Sequence, residues 1–167
     1  MKSRSIATAA ILVAATLVIS ACKPGDSTKP DGIAATAQSD AAQMKARVET
    51  ITKQLSRHGK LPGALLDARF VEDKVGDGVL GPADFSAFYA LSVSATDIPL
   101  WRAALATSPV VNGPAAYAAP IAPAAWWASR DEFSKLELFG PKSLTGRFNG
   151  WVGLAPDGRI FIYAFTM

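Results

Sequence analysis

The chain of 167 residues has a single cysteine, Cys22, and a single histidine, His58. With no second thiol, an internal disulfide is excluded whatever the redox state of the compartment. A Ser-His-Asp arrangement would have to be built on His58, and no Gly-x-Ser-x-Gly elbow accompanies it. Neither a phosphate-binding loop nor a dinucleotide fingerprint occurs. There is no concentrated stripe of Lys and Arg, so nucleic acid is not expected as a partner. No internal repeat is found, and the length leaves room for one domain.

Apolar residues, by contrast, are plentiful. They make up 50% of the chain, many of them Ala, and fifteen side chains are aromatic, most of them beyond position 69. That is enough for a modest core and excludes a wholly disordered chain.

Residues 1–21 stand apart. The first five carry Lys2 and Arg4 and no acid, and residues 6–19 are an uncharged run of fourteen with only Thr as a polar interruption. A charged start followed by an apolar run of this length has the form of a signal peptide, and a transmembrane helix needs about 20 residues. The run closes on Ile19-Ser20-Ala21-Cys22, an aliphatic residue, two small ones and a thiol. This resembles the lipobox of bacterial lipoproteins, and the resemblance covers residues 1–22 only. It implies a diacylglyceryl group on the Cys22 sulfur, cleavage before Cys22 and acylation of the freed amine. Each acyl CH₂ buried in a bilayer contributes about 0.8 kcal/mol, so two or three chains make an anchor that one cannot. In Gram-negative lipoproteins an Asp after the cysteine favours the inner membrane. Lys23 stands there instead, which implies the outer membrane, facing the periplasm, if the source is Gram-negative. The alternative is an ordinary signal peptide cut after an Ala, leaving a free thiol. Removal of residues 1–21 lowers the formal charge from +3 to about +1.

Residues 22–38 then read as the lipidated cysteine and a flexible tether, rich in Pro, Gly, Ser, Thr and Asp, and residues 39–167 as a single α+β domain. Ala41, Met44, Val48, Ile51 and Leu55 alternate steps of three and four, one apolar helical stripe. Ser39 or Asp40 can cap its start, Lys45, Glu49 and Lys53 line its outer face, and Arg57, His58 and Gly59 make a stop. From Ala64 the period becomes two. Ala64, Leu66, Ala68 and Phe70 predict one strand; Phe85, Ala87, Tyr89, Leu91 and Val93 predict a second, across a Gly-rich loop. Thr96-Asp97 can cap a short helix with Pro99 in its first turn and Trp101 and Leu105 inward. Residues 107–125, with four prolines, predict an irregular connection, and residues 124–138 a helix with Trp127, Phe133 and Leu136 inward. The C-terminus predicts a hairpin, residues 147–154 and 159–166 around Pro156-Asp157-Gly158, with both faces of the last strand apolar. The expectation is a mostly antiparallel sheet of about four strands in two hairpins with two or three helices.

No constellation singles out a catalytic, cofactor or metal site. Asp73, Asp77, Gly78 and Asp84 occupy positions 1, 5, 6 and 12 of an EF-hand-like loop, but position 3 is Val75 and the last acid is Asp rather than Glu. A structural loop is the better reading, since Asp-Gly pairs suit any tight turn. Glu72, Asp73, Glu132 and Glu137 could pair for glycan hydrolysis, though solvated faces account for acids of this kind. The aromatic residues remain. Trp126 and Trp127 are adjacent, so on a regular element only one can face a given core; with Trp151, and with Arg130 nearby, they are the candidate partner-binding residues. The sequence therefore points to a non-enzymatic binding or interaction module of the cell envelope, of inhibitor or immunity type. Its partners would be the membrane, through lipid on Cys22, and another envelope protein. An envelope hydrolase acting on cell-wall glycan or peptide and a structural envelope component stay open.

Overall fold

The structure, a computed structural model, describes residues 31–75, 84–110 and 115–166, and the side chains of the first helix from Asp40 onward. The expected signal peptide and lipobox (residues 1–22, with Cys22), residues 23–30 of the expected tether, and Asp77 and Gly78 of the acidic loop lie outside the described residues.

Helix α1 (Asp31–Leu55) comes first. It starts ahead of the expected Ser39/Asp40 cap, so residues 31–38, read from composition as tether, are helical. Val48, Ile51 and Leu55 carry its apolar stripe into the core, whereas Met44 stays 39% exposed. The helix unwinds through Ser56–His58, whose amides bond back to Thr52, Gln54 and Leu55.

Strands β1 (Asp67–Val75) and β2 (Asp84–Ser92) follow, then a 3₁₀ turn (Ala95–Asp97) and α2 (Ile98–Leu105). The Ser94 hydroxyl, rather than Thr96 or Asp97, caps this unit by accepting the Thr96 amide, while Pro99 sits in the first turn of α2 as expected. Trp101 and Leu105 are fully buried. Residues 115–128 contain no strand and only turns. The helix expected over 124–138 is a single turn, α3 (Arg130–Phe133), closed by a capping box between Ser129 and Glu132. Beyond it the chain extends as β3 (Glu137–Phe139), a fifth strand. A one-turn α4 (Lys142–Thr145) leads into the C-terminal hairpin of β4 (Asn149–Leu154) and β5 (Arg159–Phe165).

The sheet order is β1-β2-β5-β4-β3, antiparallel throughout. The fold is α+β, with five strands where about four were expected. Alternation along the central strands divides the core. Ala87, Tyr89 and Leu91 of β2 and Ile160 and Ile162 of β5 face α1, α2 and Leu144 of α4. Phe88 and Phe161 face the opposite side, where Trp127, Trp151 and the 115–136 segment cover them. Burial on both faces explains why β5 reads as nearly continuous hydrophobic sequence. At the outer edge, β1 is tied to α1. Arg47 donates to the Ala68 carbonyl (3.2 Å) and to Asp67 (3.0 Å), and the Ala68 amide donates to Asp67 (2.8 Å).

Gly150 opens β4 at a φ of 117°, where an added Cβ would overlap the Tyr163 carbonyl across the strand pair. Gly150→Ala is expected to destabilise the fold by at least about 2 kcal/mol in denaturant titration. Gly59→Ala, whose nearest neighbour would be the Ser143 carbonyl oxygen at 3.8 Å, should stay within about 0.5 kcal/mol.

Candidate functional site

The three tryptophans singled out from the sequence meet on one face of the sheet, in different roles. Trp151, 1% exposed, projects from β4 against Trp127 (ring centroids 5.7 Å) and Phe133 (4.9 Å). Its indole N–H donates to the Ala116 carbonyl at 3.0 Å. Trp127, 8% exposed, meets Phe88 and Phe161 edge-on and donates to the Ala118 carbonyl at 2.8 Å. Both rings are thus core residues whose N–H groups hold the irregular segment above them. Trp126, the neighbour that cannot share that core, turns aside, packs edge-on against Trp127 at 6.0 Å and remains partly exposed. Arg130 does not accompany it; its guanidinium lies over the Tyr117 ring at 4.8 Å.

Beside Trp126 is an open cavity of about 310 Å³. Its floor follows from strand register. Asp67, Ser92 and Arg159 form one row across β1, β2 and β5; Arg69, Ala90 and Phe161 form the next on the same face. The middle strand contributes only Ser and Ala to these rows, so a depression is left between the charged residues of the outer strands. Trp126, Trp127 and Glu132 complete the wall.

Charge in the cavity is balanced and fixed in place. Arg159 bridges Glu132 (2.7 Å) and Asp157 (2.8 Å), with its guanidinium 5.7 Å from the Phe161 ring centroid. Both acids raise the Arg159 pKa. The Ser129 amide and then Arg159 hold the Glu132 carboxyl far below its usual 4.5, at about 2. Burial tends to raise Asp67, but hydrogen bonds from Arg47 and the Ala68 amide outweigh it and the carboxyl is lowered. Arg69 stands 3.5 Å from Asp67 with 45% of its side chain exposed, which makes it a charge available to a ligand at the rim.

Sequence reasoning found Trp126 but missed Asp67, Arg69 and Arg159. The small residues Ala90 and Ser92 alternating on one face of β2 are the trace they leave, legible only once the pairing is known. The acids considered for hydrolysis do not converge: Glu72 pairs with Arg147 (2.7 Å), Glu137 with Arg102 (2.7 Å), and Asp73 accepts the Ile121 amide (2.8 Å). Among the described residues no group of three or more His, Cys, Asp or Glu could hold a metal ion, and no helix is long and apolar enough to cross a membrane. No family model, curated protein or solved structure matches the chain.

Trp151→Ala removes a buried ring and the N–H donor to the Ala116 carbonyl and is expected to cost about 3–5 kcal/mol of unfolding free energy, against about 1 kcal/mol for the rim residue in Trp126→Ala. Glu132 should titrate at about 2 in carbon-13 NMR, displaced from 4.5. Because its folded pKa is depressed, its contribution to stability is complete above the unfolded value and is lost as pH falls toward 2. Titration near its usual 4.5 would show that the cap and the Arg159 pair are not formed.

Proposed function

We propose that the chain is a lipid-anchored binding module of the bacterial cell envelope, held to a membrane through Cys22 and engaging another envelope component through the cavity beside Trp126. The observation that carries the binding part is the make-up of that cavity: a partly exposed indole wall with ordered charges of both signs at its rim. Rigid aromatic surface next to arginine is the chemistry that anchors protein partners. The anchoring part rests on the lipobox, residues 19–22, and Lys23 supports the outer membrane if the source is Gram-negative.

The hydrolase reading is less well supported. A carboxyl held at about 2 is ionised near neutral pH and has no proton to give a leaving group, and the other acids considered are each bonded elsewhere. A purely structural envelope role would leave Trp126 and Arg69 without a use.

Cys22→Ser is expected to abolish lipid labelling and processing and to release the protein from membranes; unchanged labelling overturns the anchor. In the cell of origin, a photo-crosslinker beside the cavity should trap one recurrent envelope component, and Trp126→Ala or Arg69→Gln should abolish that adduct with the fold intact by circular dichroism. An adduct indifferent to both substitutions would mean that recognition lies elsewhere on the surface.

A further inference from the structure

On the opposite face of the sheet lies a second cavity, about 140 Å³ in volume. Register again explains its presence. Glu72, Ala87, Ala164 and Gly150 align across β1, β2, β5 and β4, so three of the four residues in that row are too small to fill the layer below the helices. Gln54, Arg57, His58, Tyr89, Thr145 and Arg147 surround the space.

Three observations give the cavity a sign. Arg147 is fixed by hydrogen bonds to the Ala164 carbonyl (3.2 Å) and to Glu72 (2.7 Å), which neutralises the one acid in the row. Arg57 has no ion-pair partner among the described residues. The Tyr89 side chain is the third, 4% exposed on the cavity wall. Its hydroxyl accepts the Gln54 amide at 2.8 Å, which leaves its own proton to donate. Burial, opposed by Arg147 and joined by the Glu72 carboxylate, pushes that hydroxyl up to about 12, so it stays a donor across the physiological range. The His58 ring closes one side by lying against Gly146, whose φ of 70° and missing side chain permit the approach. Arg57 also offsets the negative end of α1. That role needs only positive charge; it calls for neither a cavity nor a buried donor.

We propose that this cavity binds a small tetrahedral oxyanion of the phosphate class, with Arg57 supplying the unpaired charge, Tyr89 a buried hydrogen bond and Arg147, held by Glu72, a fixed wall. The site is separate from the Trp126 cavity and stands or falls independently of the function proposed above. Free phosphate and the phosphodiester of a lipid headgroup share this chemistry.

The test uses the full chain, purified in detergent and labelled with nitrogen-15. Inorganic phosphate should produce saturable amide shifts confined to residues around Arg57, His58, Tyr89 and Thr145. Arg57→Gln and Tyr89→Phe should each weaken binding by about tenfold, the effect of one charge-assisted hydrogen bond. Lys45→Gln, on the outer face of α1 with its side chain 79% exposed, should leave binding unchanged. Dimethyl phosphate, a diester, distinguishes the sources: equal binding identifies a headgroup-type ligand, and binding of inorganic phosphate alone identifies the free anion. Non-saturating shifts spread over surface lysines, or an affinity unchanged in Arg57→Gln, overturn the site. Arg57 is exposed, so that variant keeps the test valid if Tyr89→Phe disturbs the fold.

Discussion

Two indole N–H groups hold the molecule's second layer in place. A stretch without helix or strand cannot lie over a sheet unless its peptide groups find partners, because a buried carbonyl with no donor costs free energy comparable to a lost hydrogen bond. Trp127 and Trp151 provide those donors to Ala118 and Ala116, while Tyr117 returns a bond to the Ala128 carbonyl at 3.0 Å. The same rings supply the apolar area that makes the layer adhere. Trp101, on the buried face of α2, contributes area alone: its N–H has no partner among the described residues.

From this the rest of the architecture follows. With α1 and α2 on one side and the tryptophan-pinned segment on the other, β5 and β2 are covered on both faces, which an antiparallel sheet alone would not require. Depressions form where a cross-strand row is made of small residues. Ala90 and Ser92 leave one cavity beside Trp126; Ala87, Ala164 and Gly150 leave another beneath the end of α1. At each, one arginine is set by ion pairing, Arg159 at the first and Arg147 at the second. Both cavities are therefore consequences of strand register, and no single motif encodes either.

That is also why the sequence was legible in some places and not in others. Period-two alternation located β2, the Pro156-Asp157-Gly158 turn located the C-terminal hairpin, and Pro99 with Trp101 and Leu105 located α2. In each case the local pattern and the tertiary environment agree. Residues 124–138 failed as a helix because inward placement of Trp127, Phe133 and Leu136 is achieved by a turn, a capping box and a short strand, which produce the same apolar spacing. The start of α1 was missed because the composition of residues 31–38 resembles a linker, and helix propagation from a well-packed turn overrides weak local preference. Of the candidate site, Trp126 was visible as the member of a pair that could not share its neighbour's core. Arg69, Arg159, Arg57 and Tyr89 were not visible, since what joins them is pairing between segments far apart in the chain.

The bond from Arg47 to the rim of the sheet has one further consequence. A strand with an open side is a template on which a passing chain can add itself, and β1 is the long outer strand here. At Ala68 both backbone groups are already engaged, the carbonyl by Arg47 and the amide by Asp67. The opposite margin, β3, is only three residues long. One margin is stoppered and the other is short, which is how sheet proteins avoid growing into one another when crowded. The Arg47 contact therefore blocks strand addition at Ala68, on the margin that is long enough to template it.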